Sequence, residues 1–418
     1  MTDLWPVAKS MVATRWRTRS GRGRAAFLAW QRASVAKWLH RDVPKVGFYD
    51  GKARRLSDLP VIDKSIVMDH FEAFNRAQIT AAQGWDIFGQ GGTYGRLSIG
   101  ASTGTSGNRG LYVITPEERA RWLGVILAKA LPRFPLRSER VAVILPQSSA
   151  LYDTAAQSRR LELGFFDLRQ GVGAWLDRLI AFDPTCIVAP PRILRVLAGH
   201  RASLSPRILY SGAETLDPID RAVIEKAFER PLGQIYMATE GLLGVTCGHG
   251  TMHLAEDAVH FEFEAAGDGL VTPMISTFQR QFQIMARYRM NDLLRLEISP
   301  CPCGSPLQGV SEIVGRMDDV FVFEGGVQVT PDVLRNAVLD ADRAISDFRV
   351  RRTGPFHVDL ILPNAASHDQ LDRAASALRK TLAIGAPRIT VSAARQELPL
   401  DVTRKLRRVE NCWTPGAP

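Results

Sequence analysis

The run SIGASTGTSGNRG, residues 98–110, decides how this chain is read. It holds too few hydrophobic residues for a buried strand and too many glycines for a helix, so it reads as a loop. Gly104 and Gly107 let the backbone turn tightly and approach an anion, while Ser102, Thr103, Thr105 and Ser106 add hydroxyl donors to exposed backbone N–H groups. That combination suits a phosphate-gripping loop, and equally a flexible surface segment. No Gly-Lys-Ser/Thr closes the run, which excludes the P-loop of nucleotide triphosphatases.

With 418 residues, 45% of them hydrophobic and 23% charged, the chain has room for two or three domains with real cores. No apolar run approaches the roughly 18 residues of a membrane span. The N-terminus, MTDLWPVAKSMVATRWRTRS, lacks the unbroken apolar core of a secretory signal, so the expectation is a cytoplasmic protein with no membrane span. Five cysteines, at 186, 247, 301, 303 and 412, are too few and too unevenly placed for a disulfide scaffold. The formal charge of +10 suits polyanionic ligands, ATP and coenzyme A as much as nucleic acid. Its densest part, Arg15, Arg17, Arg19, Arg22 and Arg24, leads into FLAWQRASVAKWLH, whose Phe27, Leu28, Trp30, Val35, Trp38 and Leu39 suit an amphipathic helix docked on a domain. No recognition motif with interleaved aromatics accompanies the arginines, so no nucleic-acid partner is expected.

In chain order, residues 1–58 read as a helical lead-in. Asp63 is placed to cap a helix, and Thr115-Pro116-Glu117-Glu118 is a capping box opening a helix that runs to Pro132. Val141–Leu145 is a short apolar run suited to a buried parallel strand. Strands and helices then alternate: FFDL, GAWLDRLIAF, TCIVAP, PRILRVLAGHR, RILYS, DPIDRAVIEKAFER and GQIYMATE. This alternation predicts a mostly parallel sheet covered on both faces, with ligands beyond the carboxyl ends of its strands. Ser211–Glu214 and Thr239–Gly241 fall at such ends. Between about 250 and 300 the pattern turns to short strands, AVHFEFEAA, QFQIMARYRM and LLRLEIS, which predicts an antiparallel subdomain. A small α+β unit begins near Gly315–Asp319. The fold class is therefore α/β, with an N-terminal domain over 1–315 and a C-terminal domain over 316–418.

Five segments, in this order, resemble the adenylate-forming superfamily, within it the branch of phenylacetate-CoA ligases and coenzyme F synthetases. The first is the loop containing Ser102, Thr103, Gly104, Thr105, Ser106 and Gly107. The second, Ser211, Gly212, Ala213 and Glu214, is similar to the family segment lining adenine. The third, Tyr236, Met237, Ala238, Thr239, Glu240 and Gly241, resembles the motif whose aromatic packs on adenine, whose hydroxyl touches the α-phosphate and whose Glu holds magnesium. The fourth places Asp292 where the family uses a carboxylate on the ribose. The fifth, Gly315-Arg316-Met317-Asp318-Asp319, resembles the hinge of a mobile C-terminal domain, with Arg316 on the nucleotide side and Asp318 as the pivot.

Two departures stand out. Many members end the first loop with Pro-Lys, where this chain has Arg109-Gly110, so either Arg109 carries the phosphate charge or no residue of the loop does. LPLDVTRKLRR, residues 398–408, lies where the family has a Gly-Lys near its end, yet Arg404 replaces the glycine and leaves Lys405 as the candidate adenylation lysine. A cation delivered there meets the charge that develops on the α-phosphate and carboxylate. The other reading of that segment is a basic helix end on the surface.

Cys247, His253, Cys301 and Cys303 form a second constellation around two turns. Three thiolates and an imidazole make a tetrahedral structural site. The same branch carries a similar arrangement that binds zinc. His249 is the rival ligand, and reduced thiols in an ordinary turn are the plainer reading.

The resemblance implies ATP-dependent activation of a carboxylic acid, by the branch an aryl acid, to an acyl-adenylate with release of pyrophosphate. The acyl group then passes to a thiol. ATP, Mg2+, a structural Zn2+ and coenzyme A are the implied cofactors and substrates. The residues implied to act directly are Thr239, Glu240 and Lys405. A carrier-protein thiol or an amine as acceptor, and a non-catalytic nucleotide-binding module, are the alternatives. Residues 144–156 and 165–171 are candidates for the acid pocket.

Overall fold

The computed structural model describes residues 5–49, 51, 53–102, 109–146, 159–399, 401 and 405–413. The chain opens on two helices, α1 (Trp5–Arg17) and α2 (Arg24–Arg41). On α2 the buried residues Phe27, Gln31, Val35, Trp38 and Leu39 recur at helical spacing, and Val35, Trp38 and Leu39 enter a large core with Phe71, Phe74 and Leu254. Three of the five arginines from Arg15 to Arg24 make contacts that hold the fold. Arg15 donates to the Leu131 carbonyl at 2.8 Å, Arg17 stacks 4.8 Å from the Trp30 ring centroid, and Arg24 pairs with buried Glu256 at 2.8 Å.

Short helices follow, α3 (Lys64–Asp69), α4 (Phe71–Phe74) and α5 (Ala81–Gly89). Asp63 caps α3 by accepting from the Ile66 N–H at 3.0 Å, as its sequence position predicts. Strands β1 (Thr93–Tyr94), β2 (Leu97–Ala101) and β3 (Leu111–Ile114) make a three-stranded antiparallel sheet. The phosphate-loop candidate joins β2 to β3. Its ends are held by Ser102, whose N–H donates to the Gly110 carbonyl and whose hydroxyl accepts from the Gly110 N–H, each at 2.8 Å. Helix α6 (Pro116–Ala130) carries the expected capping box, with the Glu118 N–H donating to Thr115 and the Thr115 N–H to Glu118.

The main sheet starts with the predicted alternation: β4 (Glu139–Leu145), β5 (Leu161–Asp167), α7 (Leu176–Phe182), β6 (Cys186–Ala189), α8 (Pro191–Ala198), β7 (Ile208–Gly212), α9 (Pro218–Phe228) and β8 (Leu232–Ala238). These strands pair in parallel in the order β5-β4-β6-β7-β8. Separate apolar cores line the two faces, one holding Val141, Val143 and Ile235, the other Ala142, Ile144 and Ile187. The alternation of neighbouring residues between these cores is why β4 is apolar from Val141 to Leu145.

Antiparallel strands continue the same sheet: β9 (Gly241–Thr246), β10 (Met252–Leu254), β11 (His260–Gly267), β12 (Leu270–Ser276), β13 (Tyr288–Arg289), β14 (Asp292–Leu296) and β15 (Gly309–Arg316). The antiparallel part is thus an extension of the parallel one rather than a separate layer. Of the strand expected over 281–290, only β13 forms. Ile284, Met285 and Ala286 are buried, and their backbone groups bond apart, the Ile284 N–H to Phe74 and the Met285 carbonyl to the Thr277 N–H. Apolar composition there reflects burial between the helical lead-in and the sheet, not strand pairing.

The last unit has its own core, from Phe321 to Val409. It contains β16 (Phe321–Val322), β17 (Gln328–Val329), α10 (Pro331–Ala341), β18 (Arg349–Gly354), β19 (His357–Pro363), α11 (His368–Leu382), β20 (Thr390–Gln396) and β21 (Val409–Asn411). The sheet order is β20-β19-β18-β21, with β21 parallel to β18. Of this tail, the described residues 398–399, 401 and 405–407 are not helical. No described helix is long and apolar enough to cross a membrane.

Candidate active site

The carboxyl ends of β7 and β8 lie side by side, with Gly212 opposite Ile235. After β7 the chain enters Ala213 at φ 67°, a left-handed conformation unusual for alanine, and turns the Glu214 side chain inward. Glu214 is buried against Arg192 of α8 at 2.8 Å, and the Leu406 backbone N–H also supports it. Burial nevertheless pushes its pKa above the ordinary glutamate value. Beside it the buried Ser211 hydroxyl has no hydrogen-bond partner among the described residues, which suits a site awaiting a polar ligand.

At the end of β8 Met237 and Ala238 are half-buried, as is Thr239 just after it, and Glu240 is 7% exposed. Burial raises the Glu240 pKa, and the Tyr288 hydroxyl and the Lys64 ammonium offset part of that rise. The Tyr236 hydroxyl donates to Asp292 at 2.5 Å. Asp292 opens β14 directly opposite Arg316 on β15, whose charge favours its ionised form while burial raises its pKa overall. Arg316 also pairs with Asp318 at 3.4 Å, and Asp318 accepts from Asn291.

Lys405 faces this group from the C-terminal unit. Its side chain reaches solvent, yet the protein packed around it lowers its pKa, and Glu214 and Asp292 pull the other way. Six predicted residues from distant segments therefore meet: Glu214, Tyr236, Glu240, Asp292, Arg316 and Lys405. Thr103, Gly104, Thr105, Ser106, Gly107, Arg404 and residues 147–156 of the pocket candidate lie outside the described residues.

Arg109 does not face the group. Its guanidinium stacks on Trp85 and Phe88 of α5, 5.1 and 5.5 Å from the ring centroids, and donates to the Ser102 carbonyl at 3.1 Å. Lys64 stands at the loop instead: a Cβ built on Gly110 would lie 3.4 Å from its Cε. The sequence held a signal for this lysine. It occupies the first turn of a helix, where the macrodipole disfavours a cation. Tyr288 and Arg192, by contrast, carry no such local signature.

The sulfur and nitrogen atoms of Cys247, His253, Cys301 and Cys303 all lie within 4.8 Å of one another. The Cys247 and Cys301 sulfurs are 3.7 Å apart, and the Cys303 sulfur is 3.2 Å from His253 Nε2. His253 Nδ1 sits 3.2 Å from the Leu307 carbonyl, which orients the ring with Nε2 toward the sulfurs. Burial lowers the His253 pKa, which favours the neutral imidazole a metal ligand requires. Gly304 has φ +71°, and a Cβ there would strike Ser20 Oγ, so only glycine closes this turn. His249 lies outside the cluster.

No family model matches the chain, and no curated protein matches it. Solved structures do. A 2-hydroxyisobutyryl-CoA ligase in its postadenylation state, in complex with R3-HIB-AMP, overlays with TM-score 0.69 at 15% identity, over 94% of this chain and 91% of that one. The same ligase in its thioesterification state, with 2-HIB-AMP and CoA, overlays with TM-score 0.54 at 16% identity, over 94% and 92%. An anthranilate CoA ligase in complex with anthranoyl-AMP overlays with TM-score 0.50 at 15% identity, over 74% and 65%. The chain has the fold of the adenylate-forming acid-CoA ligases.

Proposed function

We propose that this chain joins a carboxylic acid to ATP, forming an acyl-adenylate and pyrophosphate, and then passes the acyl group to a thiol such as coenzyme A. The observation that carries this reading is the meeting of Lys405 with Glu214, Asp292 and Arg316 beside Glu240. In the first step a carboxylate oxygen attacks the α-phosphorus and pyrophosphate leaves. Lys405 neutralises charge on the entering carboxylate and the α-phosphate, where a preorganised cation acts most strongly. The Tyr236 ring is the adenine platform, and Asp292, held by the Tyr236 hydroxyl, is oriented toward the ribose hydroxyls. Lys64, beside Gly110 at the end of the 98–110 loop, is the cation for the leaving phosphates. Glu240, a buried carboxylate on a turn, would hold a magnesium ion, which would supply neutralisation of the triphosphate charge.

In the second step a thiolate attacks the acyl carbonyl and AMP leaves. The unit after Gly315–Asp319 turns about Asp318 between the steps, so that Lys405 withdraws. Cys247, His253, Cys301 and Cys303 fit a tetrahedral zinc ion with no open position, which makes the role structural. The aryl character of the acid rests on the sequence resemblance. Acid-dependent exchange of labelled pyrophosphate into ATP, screened over aryl and fatty acids, tests the reading. Exchange with at least one acid is expected. None across the panel, with ATP still bound, would mean a nucleotide-binding module.

A further inference from the structure

The segment that carries Lys405 is fastened to the rest of the molecule by charges the reaction itself does not use. Three residues on, Arg408 has a side chain only 3% exposed. It reaches Asp220 at 2.6 and 2.9 Å and also Asp217, both at the start of α9. Its Nε donates to Asp347 of its own unit at 2.7 Å. Before Lys405, Arg192 bridges Glu214 to the Asp401 carbonyl. Arg195 of α8 closes the other side, donating to Asp220 at 2.8 Å and to the Ser346 carbonyl at 3.2 Å. Ile219 of α9 packs against the core of the C-terminal unit.

We propose that Arg408 is a positioning residue for Lys405, and that with Asp217 and Asp220 it forms a lock that holds the C-terminal unit in the adenylate-forming arrangement and parts for the thiol step. This rests on the acid-activating reading of the site. Paired charges tolerate burial, whereas a buried charge that loses its partner does not. When the unit turns away, Arg408 and the two aspartates are hydrated together, so opening strands no charge in the interior. Removing one partner by mutation penalises only the closed arrangement. The overlay agrees, being better on the postadenylation than on the thioesterification state of the same ligase.

The test compares the full-length protein with Arg408→Gln, Arg408→Lys and Asp220→Asn, using deuterium uptake over 213–220 and 405–411 and the two half-reactions measured separately. Arg408→Gln is expected to speed uptake in both segments and to lower acid-dependent pyrophosphate exchange at least tenfold at unchanged KM for ATP. Thioester formation from supplied acyl-adenylate should match or exceed wild type, and Arg408→Lys should recover part of the exchange. If Arg408→Gln does not fold, Asp220→Asn, which keeps the volume, carries the test. Unchanged uptake, or equal loss of both half-reactions in folded protein, would overturn the lock. Faster uptake in the variants, with no exchange by wild type on any acid, would support the lock and fell the acid-activating reading alone.

Discussion

Tyr236 and Asp292, 56 positions apart, are joined by a 2.5 Å hydrogen bond from the phenol to the carboxylate. The bond fixes a buried acid whose pKa burial already raises, and under the proposed function it would couple the adenine platform to the ribose carboxylate. Tyr236→Phe keeps the ring and removes the donor. A hydrogen bond to a charged group contributes about 1.5–3 kcal/mol, so KM for ATP should rise roughly tenfold or more with a smaller change in kcat. An unchanged KM would show that the hydroxyl does not orient Asp292 for the nucleotide.

Zinc should copurify at one ion per chain from medium without added metal. Ligand binding free energy at such a site is folding free energy, so Cys301→Ser should lower the melting temperature along with the metal content. Elemental analysis with a thermal melt checks both. Substoichiometric metal, or a Cys301→Ser protein as stable as wild type, would contradict a structural role.

Glu240 gives the site a pH dependence of known sign. Burial holds its pKa above the ordinary glutamate value, which is about 4.3 in a free peptide. Only the ionised carboxylate favours a cation, so affinity for magnesium-ATP should fall as pH drops through the raised pKa, by up to about tenfold per unit below it. Titration calorimetry from pH 8 to pH 5 reads this, with Glu240→Gln as the control for ATP's own protonation. Parallel slopes for the two proteins would remove Glu240 from the metal site.

What the sequence discloses here is mostly local chemistry. Asp63, Thr115 and Glu118 cap helices by contacts three residues away, and β4 through β8 follow from apolar runs separated by helical periods. Residues whose roles depend on tertiary placement are another matter. Arg109 looks like the loop's cation from its neighbours, but Trp85 and Phe88 offer its guanidinium an aromatic seat, and Lys64 stands at the loop because α3 is carried there. β21 is three residues long and owes its existence to β18 beside it. The pairing of Arg408 with Asp217 and Asp220 spans about half the chain, and no spacing rule reaches that far.

The most direct measurement is acid-dependent pyrophosphate exchange by Lys405→Ala beside wild type, with Arg404→Ala as the control for the neighbouring charge. Loss of one preorganised cation at the reacting centre should cost about 10²-fold or more, on the order of 3 kcal/mol. Lys405→Ala should therefore lose nearly all exchange while binding ATP almost normally, because Glu240, Asp292 and the 98–110 loop belong to the other unit. Thioester formation from supplied acyl-adenylate should persist, and Arg404→Ala should retain exchange. Full exchange by Lys405→Ala would contradict the account: the C-terminal unit would then not deliver the cation that activates the acid.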